Sequence, residues 1–230
     1  MIIEKEEIVM LLAELRAEVA YVAKKMYESQ LVRAVQGNLS ARDLETGLIC
    51  ITPSGADYQQ LTAEDIIVVN EHAEVVEGQW KPSTETPLHT LILRNRRDIH
   101  CVMHTHSLYA SAFSVVHQSM PVILAESAAC LGGEISVAPY MRSGSLEFAD
   151  FILTLLGERS AILWGNHGAM VVGPDLPLTF SIAHALEDNA RIYTIAKQLG
   201  TPITLPPEEV EEMHQIWRES YGKKHVEAVK

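Results

Sequence analysis

Apolar residues recur every three to four positions from about residue 4 to residue 29, where Ile8, Leu12, Leu15, Val19, Val22 and Met26 share one side of a helix. That stripe predicts an amphipathic helix with a core-facing side. The period breaks at Val35-Gln36-Gly37-Asn38-Leu39-Ser40, because Gly-Asn favours turns and positive φ. Residues 47–52 (GLICIT) predict a strand running into a Pro53-Ser54-Gly55 turn, and residues 66–69 and 74–76 predict a hairpin pair. After Gly78 the stretch KPSTETP precedes the periodic run Leu88, Leu91 and Ile92. Ser83, Thr84 or Thr86 is the expected N-cap there, with Pro87 at the first helical position.

The second half alternates short apolar runs with helical stripes. Strands are expected at residues 99–105, 121–125 and 134–138, with a small, apolar helix at 108–116. Ser145 is the expected cap of a helix that Gly157 ends, with Phe148, Phe151, Ile152 and Leu155 on its buried face. Residues 161–164 and 169–172 read as two strands enclosing the turn Gly165-Asn166-His167-Gly168. A long helix follows at 178–199, with Ile182, Leu186, Ile192 and Leu199 inward. Beyond a Pro-rich break at 201–207, Val210, Met213, Trp217 and Tyr221 form the stripe of a last helix. Several short strands with flanking helices predict an α/β fold, one sheet covered on both sides.

A chain of 230 residues, 47% of them hydrophobic, is long enough for a sizeable core; it has no internal repeat or linker-like stretch, so one domain spanning 1–230 is expected. The formal net charge of −12 argues against nucleic acid and anionic membrane as partners, since both reward clustered Lys and Arg. An anionic substrate would then need a local pocket of donors. Cys50, Cys101 and Cys130 are odd in number and embedded in apolar runs, which fits reduced, buried thiols better than a disulfide framework. Glu4, Lys5, Glu6 and Glu7 follow a very short apolar start, unlike a signal peptide, and no apolar run approaches bilayer length. A soluble, cytoplasmic protein is the expectation.

The chemistry concentrates at residues 98–109, DIHCVMHTHSLY. Alternate side chains of a strand share a face, so His104 and His106 project together, and neutral imidazoles at that spacing suit one divalent cation. His100 lies on the same face without needing a functional explanation, and a His-x-His pair also occurs with ordinary hydrogen bonds. His167, in its Gly-flanked turn, would complete a three-histidine site with an open position, the form of catalytic zinc. Manganese and cobalt stay open on ligand type. Gly37-Asn38, Ser54-Gly55 and Ser83-Thr84 each pair a small residue or hydroxyl with free amides, the materials of a phosphate cradle, although each alone is also an ordinary turn or cap. Glu85 would stand beside the phosphate end of such a ligand; read locally, it is a first-turn glutamate favoured by the helix dipole. His89, one turn later, reads as structural support.

KPSTE, MHTHS and GNHG, with GNLS and TPSG upstream, together resemble the class II aldolase and adducin-head family, in order from residue 37 to about 222. The resemblance implies a three-layer α/β/α sandwich around a mixed, mostly antiparallel sheet, and a homotetramer with active sites at subunit interfaces. It implies zinc on His104, His106 and His167, phosphate at Asn38, Ser54, Gly55, Ser83 and Thr84, and a catalytic carboxylate at Glu85. Tyr221, in SYG, matches a tyrosine that reaches a neighbouring subunit's site. Glu126 stands where fuculose-phosphate aldolases have a second tyrosine and where related dehydratases place a catalytic glutamate; a loop charge is the plain alternative. The expected activity is reversible cleavage of a ketose 1-phosphate, L-fuculose 1-phosphate or a related deoxyketose 1-phosphate, into dihydroxyacetone phosphate and an aldehyde. Epimerase, dehydratase and decarboxylase reactions share the implied metal and phosphate sites. A non-catalytic, adducin-like interaction module would not need the three histidines and Glu85.

Overall fold

The apolar alternation of the central segments does produce strands, and the helical stripes cover both faces of the sheet they form. The structure, a computed structural model, describes residues 10–141 and 146–220, with the backbone alone between 146 and 150. The elements are α1 (Ala13–Glu28), β1 (Asn38–Arg42), β2 (Ile49–Ile51), β3 (Ile67–Val69), β4 (Val75–Glu77), α2 (Thr86–Asn95), β5 (Cys101–Thr105) and α3 (Leu108–Val115). There follow α4 (Ala125–Leu131), β6 (Val137–Ala138), α5 (Leu146–Leu156), β7 (Ala161–Trp164), β8 (Gly168–Gly173), α6 (Leu176–Leu199) and α7 (Pro207–Ser220). The strands join one sheet in the order β4-β3-β2-β1-β5-β8-β7-β6. Neighbours are antiparallel except β6 and β7, which are parallel.

Period-two alternation divides the strand residues between two cores. Leu39, Ala41, Cys50, Val68, Cys101, Met103, Leu163 and Val171 face a core shared with Val19 and Met26 of α1, Phe113 of α3, Leu131 of α4 and Ile182 and Leu186 of α6. Ile49, Ile51, Ile67, Val69, Val102, Ile162, Met170 and Val172 face the opposite way, onto Leu88 and Ile92 of α2 and Ile152 and Leu156 of α5. This is the three-layer α/β/α sandwich around a mixed, mostly antiparallel sheet. Cys50, Cys101 and Cys130 are buried free thiols. Among the described residues, no helix is long and apolar enough to cross a membrane.

Several elements depart from the sequence pattern for identifiable reasons. Helix α1 begins at Ala13, directly after Leu12 in a left-handed conformation, φ 54°; Ile8 and the start of the expected helix lie outside the described residues. Residues 121–125 are not a strand. Only Met120 bridges to Ile135; beyond it, the buried Asn189 of α6 donates to the Pro121 carbonyl at 2.9 Å and accepts from the Ile123 amide at 3.1 Å. A side-chain amide thus satisfies the backbone groups that a neighbouring strand would have taken. Ala125 opens α4 instead, and Gly132 at φ 79° ends it. In α5, Ile152 and Leu156 are the fully buried pair and Phe151 is exposed; Ser145 and the Phe148 side chain lie outside the described residues. In α6, Ile182 and Leu186 are buried, but Ile192 is 41% and Leu199 85% exposed. A 24-residue helix is about 36 Å long, against roughly 20 Å for the longest strand beneath it, so its last turns overhang the sheet.

Candidate active site

Strand β5 carries His104 into the centre of the sheet, with Asn38 of β1 as its partner on one side and Met170 of β8 on the other. His104 Nδ1–H donates to the Ala169 carbonyl at 3.0 Å, which leaves the Nε2 lone pair free. His106, just past the strand end, brings its Nε2 to 2.9 Å from that of His104. The tight start of β8 supplies the third imidazole. Gly168 has no side chain to collide with the Thr105 carbonyl, and a Cβ there would also lie 3.2 Å from the His104 ring and 3.3 Å from the His106 ring. His167 therefore enters next to both, stacked on the buried Trp164 at 4.1 Å between ring centroids and 20° between planes. The ligating nitrogens of His104, His106 and His167 all lie within 4.8 Å of one another.

Glu85 holds the N-cap position of α2, where Ser83, Thr84 or Thr86 was expected; Ser83 Oγ accepts its amide N–H at 3.2 Å, and Pro87 lies in the first turn. That position is buried, with 6% exposure, and points the carboxylate at the imidazoles. Oε2 is 3.7 Å from His104 Nε2, Oε1 is 3.7 Å from His167 Nε2, and Asn38 Nδ2 donates to Oε2 at 3.0 Å. Burial raises the Glu85 carboxyl above its usual range, opposed by the Asn38 bond and by the nearby imidazoles of His167 and His106. Burial pushes His104 and His106 down to about 3 and lowers His167 against the pull of Glu85. At neutral pH all three rings are uncharged, the state a divalent metal requires. Three neutral imidazoles with converging nitrogens, one oriented by a backbone carbonyl, are a donor set that fits one divalent metal ion.

The other expected residues divide into those drawn to this cluster and those away from it. Asn38 is buried beside Glu85; Gly37, with φ 73°, leads into it where a Cβ would stand 2.6 Å from the His104 carbonyl. Pro53 bridges Pro82, and the Ser54 amide donates to the Lys81 carbonyl at 2.9 Å. This folds the exposed Ser54-Gly55 turn against the segment carrying Ser83, which is buried, and Thr84, which is exposed. The Ser54-Gly55 turn thus lies against residues 81–82, immediately ahead of Ser83 and Glu85. Glu126 is exposed in the first turn of α4, a helix that packs on α6 and α7. Tyr221 lies outside the described residues.

The sequence pattern did not reveal how His89 is used. It is fully buried on α2, with Nδ1 2.7 Å from Ser40 Oγ of β1, so it supports the strand rather than Glu85. Arg42, two residues further along β1, donates to the Leu93 carbonyl of α2 at 2.6 Å. Asn38, Ser40 and Arg42 alternate along the strand while Glu85, His89 and Leu93 step by four along the helix. The shared two-against-four spacing is the signal in the sequence that would have found this seam.

A family model described as Class II Aldolase and Adducin N-terminal domain matches residues 17–194. The chain is 35% identical over 214 residues to a 5-deoxy-D-ribulose 1-phosphate aldolase of Bacillus thuringiensis serovar kurstaki, covering 93% of this chain and 100% of that one. It is 31% identical over 178 residues to an L-fuculose phosphate aldolase of Methanococcus maripaludis, covering 77% and 95%. A solved L-fuculose 1-phosphate aldolase superposes with a TM-score of 0.86 at 33% identity, covering 91% of this chain and 98% of that one. With its converging imidazoles and buried glutamate, the chain belongs to the class II aldolase and adducin N-terminal domain family and is a metal-dependent aldolase, a carbon–carbon lyase.

Proposed function

We propose that this chain is a zinc-dependent sugar-phosphate aldolase that reversibly cleaves a deoxyketose 1-phosphate, with 5-deoxyribulose 1-phosphate the leading substrate, into dihydroxyacetone phosphate and an aldehyde. The observation that carries the reading is the buried Glu85 carboxylate, each oxygen 3.7 Å from a different imidazole of the His104, His106 and His167 trio. The choice of substrate rests on the match to the Bacillus enzyme, which runs over the whole of that protein. L-Fuculose 1-phosphate, one carbon longer, is the next candidate.

A zinc ion on the three imidazoles would supply Lewis acidity toward the ketose carbonyl and its adjacent hydroxyl. The hydroxyls of Ser54, Ser83 and Thr84 and the amides of Gly55, Ser83 and Thr84, with the second amide proton of Asn38, hold the phosphate and so fix which carbon faces Glu85; the Ser54 amide is already engaged with the Lys81 carbonyl. Tyr221, ionised to the phenolate, takes the proton of the C4 hydroxyl as the C3–C4 bond breaks and the aldehyde carbonyl forms, and passes a proton back through solvent to Glu85 for the next turnover. Glu85 delivers a proton to C3 of the three-carbon fragment, completing dihydroxyacetone phosphate. Its raised pKa favours the protonated form that this step consumes. The sites operate at the interfaces of a cytosolic homotetramer in this reading.

A second reaction open to the same scaffold is loss of water from a ketose 1-phosphate without C–C cleavage, with Glu126 as its candidate acid or base. Product analysis on purified protein with 5-deoxyribulose 1-phosphate and L-fuculose 1-phosphate separates the two. Stoichiometric dihydroxyacetone phosphate and aldehyde, abolished by chelation and restored by zinc, is the expected result. A dehydrated sugar phosphate, an epimer, or full activity after metal removal would overturn the proposal.

A further inference from the structure

His104 is fixed by β5 and its pairing and His106, just past the strand end, by its amide bond to the Leu31 carbonyl at 2.9 Å, whereas His167 is delivered by a turn, and something must hold that turn. One side is covered by the stack on Trp164. The other side is held by the end of α3. There the Ser114 carbonyl accepts both the His117 amide at 3.3 Å and the Asn166 amide at 3.2 Å, tying the helix end to the residue that precedes His167. Across the same gap, His117 Nε2–H donates to Asn166 Oδ1 at 2.6 Å. Both residues are in the left-handed region, His117 at φ 52° and Asn166 at φ 56°. A non-glycine backbone held there costs free energy and persists where its surroundings over-determine it. Here the surroundings are the shared carbonyl and the side-chain bond.

We infer that His117 is a positioning residue of the metal site, acting through the Asn166 side chain to keep the His167 imidazole turned toward His104 and His106. His117 touches neither the converging nitrogens nor Glu85; its effect is on the turn. Such partners of metal ligands change affinity without being ligands. The inference rests on the metal reading above, and the experiment separates the two.

The measurement is the affinity of the full chain for Zn2+ by competition with a chromophoric chelator, with the visible spectrum of the Co2+-loaded protein as a second signature. His117→Ala is expected to bind about 10–100-fold more weakly, with an altered Co2+ spectrum and an unchanged melting temperature for the metal-free protein. His117→Gln, which keeps an N–H donor, is expected to recover most of the affinity. Asn166→Gly, which tolerates the left-handed backbone but removes the acceptor, should match His117→Ala, and the double variant should be no worse than either single one. His117→Ala binding metal as tightly as wild type would overturn the inference. So would equal losses in the Ala and Gln variants, or a metal-free melting temperature that falls with the affinity. A wild-type chain that takes up no divalent metal would sink the proposed function and this inference together.

Discussion

The two faces of the sheet are made of different material. Toward α1, α3, α4 and α6, the central strands present Leu39, Ala41, Cys101, Met103 and Val171 to a mainly apolar core, whose polar groups, such as Arg16 with Glu77 and Asn189 with residues 121 and 123, lie off those strands. Toward α2, the same strands present Asn38, Ser40, Arg42 and His104, flanked by the apolar Ile49, Ile51, Ile162 and Val172. The first face supplies burial, worth about 25 cal/mol per Å² of apolar surface removed from water. The second gives up part of that burial for groups that must find partners in a dry environment. A single strand, β1, serves both faces because its alternate residues belong to different jobs. The lesson is that stability and chemistry here are separable by strand parity, and that separation can be tested.

The largest effect expected is on chemistry alone. Glu85→Gln keeps the shape at the N-cap of α2 but cannot transfer the proton, so formation of dihydroxyacetone phosphate should fall about 10²–10⁴-fold with metal content intact. Wild-type turnover in this variant would remove Glu85 from the mechanism.

Acid should expose the α2 face next. Burial holds His89 and His104 down to about 3, while in the unfolded chain they take up protons below roughly 6.5. Their contribution to stability is therefore fully present above that pH and is lost as the pH falls from about 6.5 toward 3, on the order of 1–3 kcal/mol per pH unit at its steepest. The raised Glu85 acts in the opposite sense, since the fold retains a proton that the unfolded chain releases, and it offsets part of the slope. Urea midpoints of metal-free protein between pH 7 and pH 4 measure the balance; a flat profile would mean that the imidazoles are not buried as described.

Leu186→Ala tests the other face. Leu186 is fully buried in α6, and the truncation should cost about 2–5 kcal/mol of unfolding free energy. Zinc affinity and turnover of the folded enzyme should be unchanged, and the acid slope should shift without changing shape. Ser40→Ala is the smallest change with the more telling outcome. Removing the hydroxyl leaves buried His89 Nδ1 without its partner at a cost of about 1–3 kcal/mol. Because the same seam seats Glu85, kcat should fall as well. Equal effects of Leu186→Ala and Ser40→Ala on kcat would erase the distinction between the faces.

Much of this arrangement was legible in the sequence because it depends on short-range geometry. His104 and His106 share a face through strand periodicity, and Gly168 marks the close approach that brings His167 in. Helix α2 was visible from Pro87 and its apolar period, but the capping preference pointed to a hydroxyl and the position went to Glu85. What stayed hidden was tertiary. The apolar run at 121–125 has the length and composition of a strand; only the side chain of Asn189, more than sixty residues away, explains why it needs no strand beside it. Ile192 and Leu199 fit a helical stripe, but no local pattern reports where the sheet beneath that helix ends. The bond from Ser40 to His89 likewise depends on how β1 and α2 lie together.

That alignment works like a vernier. Two residues of strand advance about 6.6 Å and four residues of helix about 6.0 Å, so successive rungs from Asn38–Glu85 to Arg42–Leu93 drift by only about 0.6 Å each. Over three rungs the accumulated mismatch is no more than a side chain absorbs by bending; over six it would exceed a hydrogen bond's tolerance. Adding or removing one residue within α2 would rotate Glu85 by about 100° relative to the scale beneath it, so loop insertions are tolerable elsewhere in this enzyme but the length of that helix is not adjustable.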